Sequence, residues 1–195
     1  MADRQLILAS GSPRRREILE QMGYRFHVVV TDVDETVDPA LSAEQVVEGL
    51  ARKKARAAVR TLSGAVVVAA DTVVVLDGRI LGKPRDGADA VSMLGRLRGR
   101  THQVLTGVAV ADTAGDRVRS FVESTDVTMS DYPDSLIDWY VATGAPLDKA
   151  GGYGIQERGG LLVRGICGDY YNVVGLPVGR LHDLLIREYG LSPWD

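Results

Sequence analysis

A short segment with two arginines, SGSPRR at residues 10–15, carries the first side chains whose types and spacing could hold a phosphate group. It lies between a stretch that is typical of a strand and one that is typical of a helix. A helix N-terminus presents unpaired N–H groups and the positive end of its dipole, and small residues let an anion approach that backbone. Arg14 and Arg15 are unfavourable in a first helical turn unless an anion lies nearby. The segment therefore predicts a phosphate site, and the alternative is an ordinary helix start with solvated arginines. Arg16 is expected to face solvent.

Three further charged residues are candidates for the same chemistry. Asp71 follows a continuous apolar run at residues 65–70, which predicts a carboxylate at the end of a buried strand, where it could hold a divalent cation or activate water. Lys54 falls near the apolar face of its predicted helix, which favours a lysine directed along the wall of a cleft. Lys83 follows a predicted hairpin and could return to the same rim. The alternatives are a turn aspartate and two solvated lysines.

Two loops complete the candidate set. Glu35 belongs to an acidic run at residues 32–35, which is either solvated or supplies a metal ligand. The segment at residues 144–156 combines several glycines, one proline and an aromatic residue, as binding loops do. Within it, Tyr153 could pack on a base and Gln156 could hydrogen-bond the edge of that base. The alternative is an ordered loop whose tyrosine belongs to the core.

The elements that must position these residues alternate between strands and helices. Strands are predicted at residues 5–9, 65–70, 72–76, 79–81, 104–111, 118–129 and 161–166. Helices are predicted at residues 13–22, 42–62, 86–98, 134–142 and 177–189. Long strands mixed with helices indicate an α/β fold with a mixed sheet. Because the chain has no linker, repeat or low-complexity tract, we expect one domain over residues 1–195.

Composition and charge argue against several classes of protein. A net charge of −3 disfavours a general nucleic-acid binder. The first apolar run is too short for a signal peptide, and no stretch approaches the roughly 18 apolar residues of a membrane span. The one cysteine, Cys167, allows no internal disulfide, which fits a reducing cytoplasm. Its side chain is expected to be a buried small hydrophobic group. His27 and His102 lack the spacing of zinc ligands and are interpreted as structural or surface residues.

Six segments, taken in order, resemble the Maf family. They are LASGSPRR at 8–15, the Lys54-Ala55 pair within LARKKA, ADTVVVLDGRILGKP at 70–84, THQVLTGVAV at 101–110, PLDKAGGYGIQ at 146–156 and YYNVVGLP at 170–177. One of these motifs alone would be weak evidence. Because all six occur in the family order and span almost the whole chain, an accidental similarity is implausible.

The resemblance implies an α/β fold with a mixed, strongly twisted sheet, flanking helices and a central cleft, related to that of inosine triphosphate pyrophosphatases. It also implies hydrolysis of a nucleoside triphosphate between the α- and β-phosphates with a divalent cation, Mg²⁺ or Mn²⁺. On the family pattern Asp71 accepts the proton of the attacking water, and Glu35 joins Asp71 on the metal side. The residues that the pattern assigns to the phosphate site are Ser10, Arg14, Arg15, Lys54 and Lys83.

Three positions bear on the choice of base. Arg14, Thr72 and Gln156 match the dTTP/UTP branch of the family, whereas the 7-methyl-GTP branch tends to have tryptophan, glutamine and glutamate there. Gln156 offers a donor and an acceptor, which suits a pyrimidine with O4 and N3–H. The alternatives are specificity for CTP, 7-methyl-GTP or modified pyrimidine nucleotides, and a septum-formation regulator that acts by binding. The resemblance also suggests a homodimer.

Overall fold

The computed structural model describes residues 4–115 and 117–194. Its strands are β1 (Gln5–Leu8), β2 (His27–Val28), β3 (Ala65–Leu76), β4 (Arg79–Leu81), β5 (Thr101–Asp112), β6 (Val118–Met129) and β7 (Val163–Cys167). Its α-helices are α1 (Pro13–Gln21), α2 (Ala43–Val59), α3 (Gly87–Leu97), α4 (Asp134–Ala142), α5 (Tyr170–Val174) and α6 (Val178–Leu184). Two 3₁₀ turns and a π turn complete the helical segments, at Ala150–Gly152, Glu157–Leu162 and Leu185–Tyr189.

The seven strands form one mixed sheet. The strand order is β2-β1-β3-β5-β6-β7, and β4 pairs with β3 outside this path. Strand β1 runs parallel to both β2 and β3, whereas β4 is antiparallel to β3 and β7 is antiparallel to β6. The α/β fold with a mixed sheet that the sequence predicts is therefore confirmed.

The described chain divides into two compact units. The first unit contains the described residues up to Asp71, those of Thr106–Glu123 and those from Gly175 onward. The second unit contains Thr72–Leu105 and Ser124–Val174. Strands β3, β5 and β6 each contribute residues to both units, so neither unit is one continuous stretch of sequence. The expectation of a single domain over residues 1–195 stays a prediction.

In the first unit, helix α2 is fixed at its start and lies very close to the sheet. The predicted capping box is present, because the Ser42 hydroxyl accepts from the Gln45 N–H and the Gln45 side chain accepts from the Ser42 N–H. A Cβ atom at Gly107 would lie 2.4 Å from the carbonyl group of Val47, so only glycine allows this approach of β5 to α2. The register of α2, which carries Lys54, is set by these contacts.

In the second unit, local sequence signals also define the elements. Asp86 caps α3 by accepting from the Asp89 N–H at 2.8 Å. Asp77 and Gly78 have φ values of 52° and 73°, the left-handed backbone that a tight two-residue hairpin requires, and they join β3 to β4 as predicted. The core of this unit is apolar but includes three buried tyrosines, Tyr132, Tyr140 and Tyr153.

Two predictions from the sequence were wrong, one about a strand and one about the burial of Cys167. The runs at residues 65–70 and 72–76 form the single strand β3, so Asp71 lies inside a strand rather than at its end. An aspartate is tolerated there because its carboxylate has a lysine partner, described below. Cys167 is exposed, not buried, because it ends β7, the last strand in the sheet order.

None of the helices in the described parts of the chain has the length and apolar character that crossing a membrane requires.

Candidate active site

The segment that precedes helix α1 holds Arg15 in a defined position. The Ser10 hydroxyl accepts from the Ser12 N–H at 3.2 Å and from Nη1 of Arg15 at 3.3 Å. The Arg15 Nε donates to the carbonyl oxygen of Gly175 at 2.8 Å. The helix begins at Pro13 as the sequence predicts, and the guanidinium group is ordered by partners on both of its sides.

Lys54 lies between the two carboxylates that were expected to bind metal. Its Nζ is 2.7 Å from a carboxylate oxygen of Glu35 and 2.7 Å from Oδ1 of Asp71. The side chains of Lys54 and Asp71 are only 14% and 15% exposed, whereas Glu35 is 59% exposed. Helix α2 therefore brings its lysine to the middle of β3, and the acidic loop adds the exposed carboxylate of Glu35 to the group.

The charges of this group act on one another. Burial lowers the pKa of the Arg15 guanidinium, and the Asp71 carboxylate opposes that shift by raising it. Smaller effects come from Arg14, which lowers the pKa, and from Glu35, which raises it. Arginine nevertheless keeps its charge in proteins. Three cations and two carboxylates therefore occupy one region of the first unit. The positive surplus suits a ligand that carries several negative charges.

The candidate residues divide between the two units. The first unit brings together Ser10, Arg14, Arg15, Glu35, Lys54 and Asp71. The second unit contains the other three candidates, Thr72, Lys83 and Gln156. Thr72 is half-buried beside Asp71 in β3, and Lys83 is exposed after β4.

Gln156 is half-buried and precedes the 3₁₀ turn Glu157–Leu162. It lines a cavity of about 270 Å³, whose other lining residues are Tyr140, Thr143, Ala145, Lys149, Glu157, Arg158 and Gly159. An amide side chain in such a cavity can meet the edge of a small polar ligand.

Tyr153 lies in the core, and the alternative that places it there is correct. The residue is 5% exposed, and its hydroxyl lies 2.7 Å from Nε2 of His102. The two rings meet edge to face, with centroids 5.4 Å apart. Burial raises the pKa of Tyr153 and lowers that of His102 to about 4, so the pair is neutral at ordinary pH. The structural interpretation of His102 is confirmed.

Sequence reasoning missed two partners of the candidate residues. The carbonyl group of Gly175 orders Arg15, and the Tyr140 hydroxyl accepts from the Gly154 N–H at 3.2 Å in the loop of Gln156. A backbone carbonyl leaves no mark of its role in a sequence. The position of Tyr140 in a predicted helix, 14 residues before its partner, gives no sign of the contact either.

Glu35 and Asp71 supply carboxylate oxygens, the type of ligand that a divalent cation takes. Within residues 4–115 and 117–194, no three His, Cys, Asp or Glu side chains form a group that could hold a metal ion. Since both carboxylates bind the same ammonium, their oxygens are separated by at most twice the bond distance of 2.7 Å. Carboxylate oxygens suit Mg²⁺ and Mn²⁺, and Mg²⁺ commonly takes one or two of them together with substrate phosphates.

Comparison with known proteins gives consistent matches. A family model described as Maf-like protein matches residues 5–188. The dTTP/UTP pyrophosphatase of Symbiobacterium thermophilum is 53% identical over 94% of this chain and 93% of its own length. The dTTP/UTP pyrophosphatase of Acetivibrio thermocellus is 49% identical over 96% of this chain and 96% of its own length. That of Dictyoglomus turgidum is 49% identical over 97% of this chain and 98% of its own length.

A solved HAM1 protein from Coxiella burnetii shares the fold, with a TM-score of 0.51 at 15% identity over 93% of this chain and 98% of that one. The six motifs, the family model that extends over nearly the whole described chain and the relatives at about half identity agree, and this chain belongs to the Maf family.

Proposed function

We propose that this chain hydrolyses dTTP and UTP to the corresponding monophosphate and pyrophosphate. The names of its relatives at 49% and 53% identity support the substrate class. The observation that carries the proposal is the Lys54 ammonium, which lies 2.7 Å from both Glu35 and Asp71 in the region that also contains Arg15. Such a group combines fixed positive charge for phosphates with a carboxylate that can accept a proton.

The cations act on the charge of the triphosphate. A nucleoside triphosphate carries roughly four negative charges, and charge moves toward the departing pyrophosphate as the bond breaks. Arg15 is already ordered by Gly175 and Ser10, so little further side-chain freedom is lost when a phosphate binds. The family pattern adds Arg14, Lys54 and Lys83 to this set.

Asp71 acts as the general base. Water attacks the α-phosphorus, its proton passes to the Asp71 carboxylate, and the α–β bond breaks with its electron pair leaving on pyrophosphate. The contact of Oδ1 with Lys54 at 2.7 Å fixes the orientation of the carboxylate. A positioned base of this kind contributes about 10²–10⁴-fold to a rate.

Glu35 and Asp71, whose carboxylates both contact Lys54, are the residues that would hold a divalent cation, Mg²⁺ or Mn²⁺. When bound, the cation would neutralise phosphate charge and polarise the phosphoryl group. A homodimer, which the family resemblance suggests, and a cytoplasmic location, which the sequence suggests, remain parts of the proposal that a size measurement and fractionation would test.

Gln156 selects the base, together with Arg14 and Thr72. Its amide donates to O4 and accepts from N3–H of thymine or uracil, whereas cytosine presents an amino group at position 4 and would require the amide to flip. A buried polar group left unpaired costs about 1–3 kcal/mol, or one to two decades of discrimination. One methyl group contributes little, so dTTP and UTP are expected to behave alike.

A panel of triphosphates tests this function. Turnover of dTTP, UTP, CTP, GTP and 7-methyl-GTP is measured side by side with Mg²⁺ or Mn²⁺, and pyrophosphate is the measured product. The expected result is a kcat/KM for dTTP and UTP that exceeds the others by about tenfold to a hundredfold. Equal turnover of CTP or GTP contradicts the role of Gln156, and a preference for 7-methyl-GTP assigns the sister specificity.

A further inference from the structure

The loop that carries Gln156 is tied to the core by two tyrosine hydroxyls. The Tyr140 hydroxyl accepts from the Gly154 N–H at 3.2 Å, and the Tyr153 hydroxyl lies 2.7 Å from Nε2 of His102. Both tyrosines are buried, at 2% and 5% exposed. The two points of attachment are therefore Gly154 and Tyr153, which lie two and three residues before Gln156. Their partners, Tyr140 and His102, are buried side chains.

The same loop is closed on itself with no spare room. A Cβ atom at Gly159 would lie 1.8 Å from the carbonyl oxygen of Gly154 and 2.9 Å from the Tyr140 hydroxyl. The backbone at Gly154, before Gln156, is therefore in close contact with the backbone at Gly159, after it. The Tyr140 hydroxyl lies next to both glycines. The side-chain carbons of Lys149 also lie close to this backbone, since a Cβ at Gly154 would be 2.9 Å from them.

We propose that Tyr140 and Tyr153 are positioning residues for Gln156, which hold the loop at residues 153–159 in the conformation that discriminates between bases. This inference rests on the proposed function, because it concerns the base selectivity assigned to Gln156. Neither tyrosine is proposed to touch the reacting phosphates. Their role is to keep the amide in one place, so that the wrong base meets an amide that does not reorient.

The cost of reorientation explains why such a device is needed. A glutamine amide can present its donor and acceptor in either order by flipping, and a flexible loop would allow it to accept the 4-amino face of cytosine. Selectivity therefore depends on the rigidity of the surroundings as well as on the amide itself. The hydroxyl of Tyr140 lies beside Gly154 and Gly159 and lines the same cavity as Gln156, which is where such rigidity is required.

Three single-atom variants test the proposal. Tyr140→Phe and Tyr153→Phe each remove one hydroxyl from the loop attachment. Tyr132→Phe is the matched control, because Tyr132 is 4% exposed in the same core and its hydroxyl donates to the carbonyl group of Leu94 at 2.9 Å, in helix α3, instead of to the loop. The measured quantities are the ratio of kcat/KM for dTTP to that for CTP, and amide hydrogen exchange over residues 153–159 in the ligand-free protein.

We expect the dTTP-to-CTP ratio to fall by about twofold to tenfold in Tyr140→Phe and in Tyr153→Phe, as the loss of one hydrogen bond predicts. Exchange at the Gly154 amide is expected to accelerate in Tyr140→Phe. Tyr132→Phe is expected to retain the wild-type dTTP-to-CTP ratio and the wild-type amide exchange in this loop. We expect this even if its melting temperature falls as much as that of the two loop variants.

Two results would overturn the inference. One is a wild-type ratio in both loop variants together with a reduced ratio in Gln156→Glu, because the amide would then select without the tyrosines. The other is an equal fall in all three tyrosine variants, which would indicate general loosening of the core. A wild-type protein that does not discriminate between dTTP and CTP refutes the proposed base selectivity itself, and that result is recognised before any variant is measured.

Discussion

The charged group of the first unit and the glutamine loop of the second unit are held by different forces. In the first unit, Lys54 is paired with Glu35 and Asp71 at 2.7 Å, so opposite charges fix the groups to which the proposal assigns the reaction. In the second unit, the loop of Gln156 is fixed by hydroxyl contacts of Tyr140 and Tyr153. Partly buried charges require partners, and in the proposed mechanism those partners also supply the chemistry. In the proposal, selection of thymine or uracil depends on an uncharged amide whose position is fixed.

The difference predicts that changes in the two regions affect different quantities. Loss of a charge in the first-unit group, or of Lys83 in the second unit, should lower the turnover of every triphosphate. Loss of a hydrogen bond at the glutamine loop should alter the ratio between triphosphates. The predictions below test this separation, beginning with the largest expected effect.

Asp71→Asn is expected to lower the turnover of dTTP by about 10²–10⁴-fold, because an amide keeps the shape of the carboxylate but does not accept the proton of water. Initial rates of pyrophosphate release measure the effect, and a circular dichroism spectrum checks the fold. Glu20→Gln is the control, since Glu20 is exposed and pairs only across a helix turn with Arg16 at 3.4 Å among the contacts described. Turnover within a factor of two of wild type would remove Asp71 from the mechanism.

Gln156→Glu is expected to lower the kcat/KM for dTTP by about tenfold to a hundredfold, because a carboxylate has no hydrogen to donate to O4. Binding of free pyrophosphate, measured by calorimetry, should change less. The adjacent residue Glu157 lines the same cavity, so Glu157→Gln is the control for a change of charge there. Equal losses of dTTP turnover and pyrophosphate binding would place Gln156 with the phosphate site instead.

Lys83→Ala is expected to lower dTTP turnover by about tenfold or more, and by more than Lys53→Ala. Lys53 lies one residue from the apolar-face position of Lys54, and its Nζ contacts the backbone carbonyl of Asp34 and lies 3.8 Å from the Asp34 carboxylate. It pairs within the exposed acidic loop rather than with Asp71. Steady-state rates of both variants decide the matter, and equal losses would mean that the positive charge acts diffusely.

His102→Gln is expected to have the smallest effect on turnover, and its effect on stability depends on pH. The pKa of His102 falls from 6.5 in the unfolded chain to about 4 in the fold because of burial, against the opposing charge of Asp126. As the pH falls from about 6.5 toward 4, the unfolded chain binds a proton that the folded chain does not, so wild-type stability decreases. The glutamine variant lacks that proton, and its free energy of unfolding should depend less on pH across this range. Identical pH dependence in urea titrations would contradict the neutral, buried state of His102.

Local signals in the sequence predict much of this fold. Ser42 with Gln45 predicts the start of α2, Asp86 predicts that of α3, and Asp77-Gly78 predicts the hairpin, because each contact joins residues within a few positions of one another. Family motifs nominate Asp71 as a candidate, but its place inside β3 could not be read from the sequence. A carboxylate in an apolar run leads to the prediction that the strand ends there, unless a partner for its charge is known. That partner, Lys54, is 17 residues away in the chain.

Burial is the property that sequence reasoning predicts least well here. Tyr153 belongs to the core because His102, 51 residues away in the chain, meets its hydroxyl. Cys167 is exposed because its strand ends the sheet order, and Arg15 is ordered by a carbonyl group 160 residues away. Each of these facts depends on tertiary structure, which side-chain type and periodicity do not encode.

The site of cleavage is the most direct test of the central claim. Wild-type protein is incubated with dTTP labelled in its α-phosphate, in the presence of Mg²⁺ or Mn²⁺, and the labelled and unlabelled products are separated at early times. The account predicts that the label appears in dTMP from the first time point and that pyrophosphate forms in equal amount. Labelled dTDP with orthophosphate as the first products would contradict it.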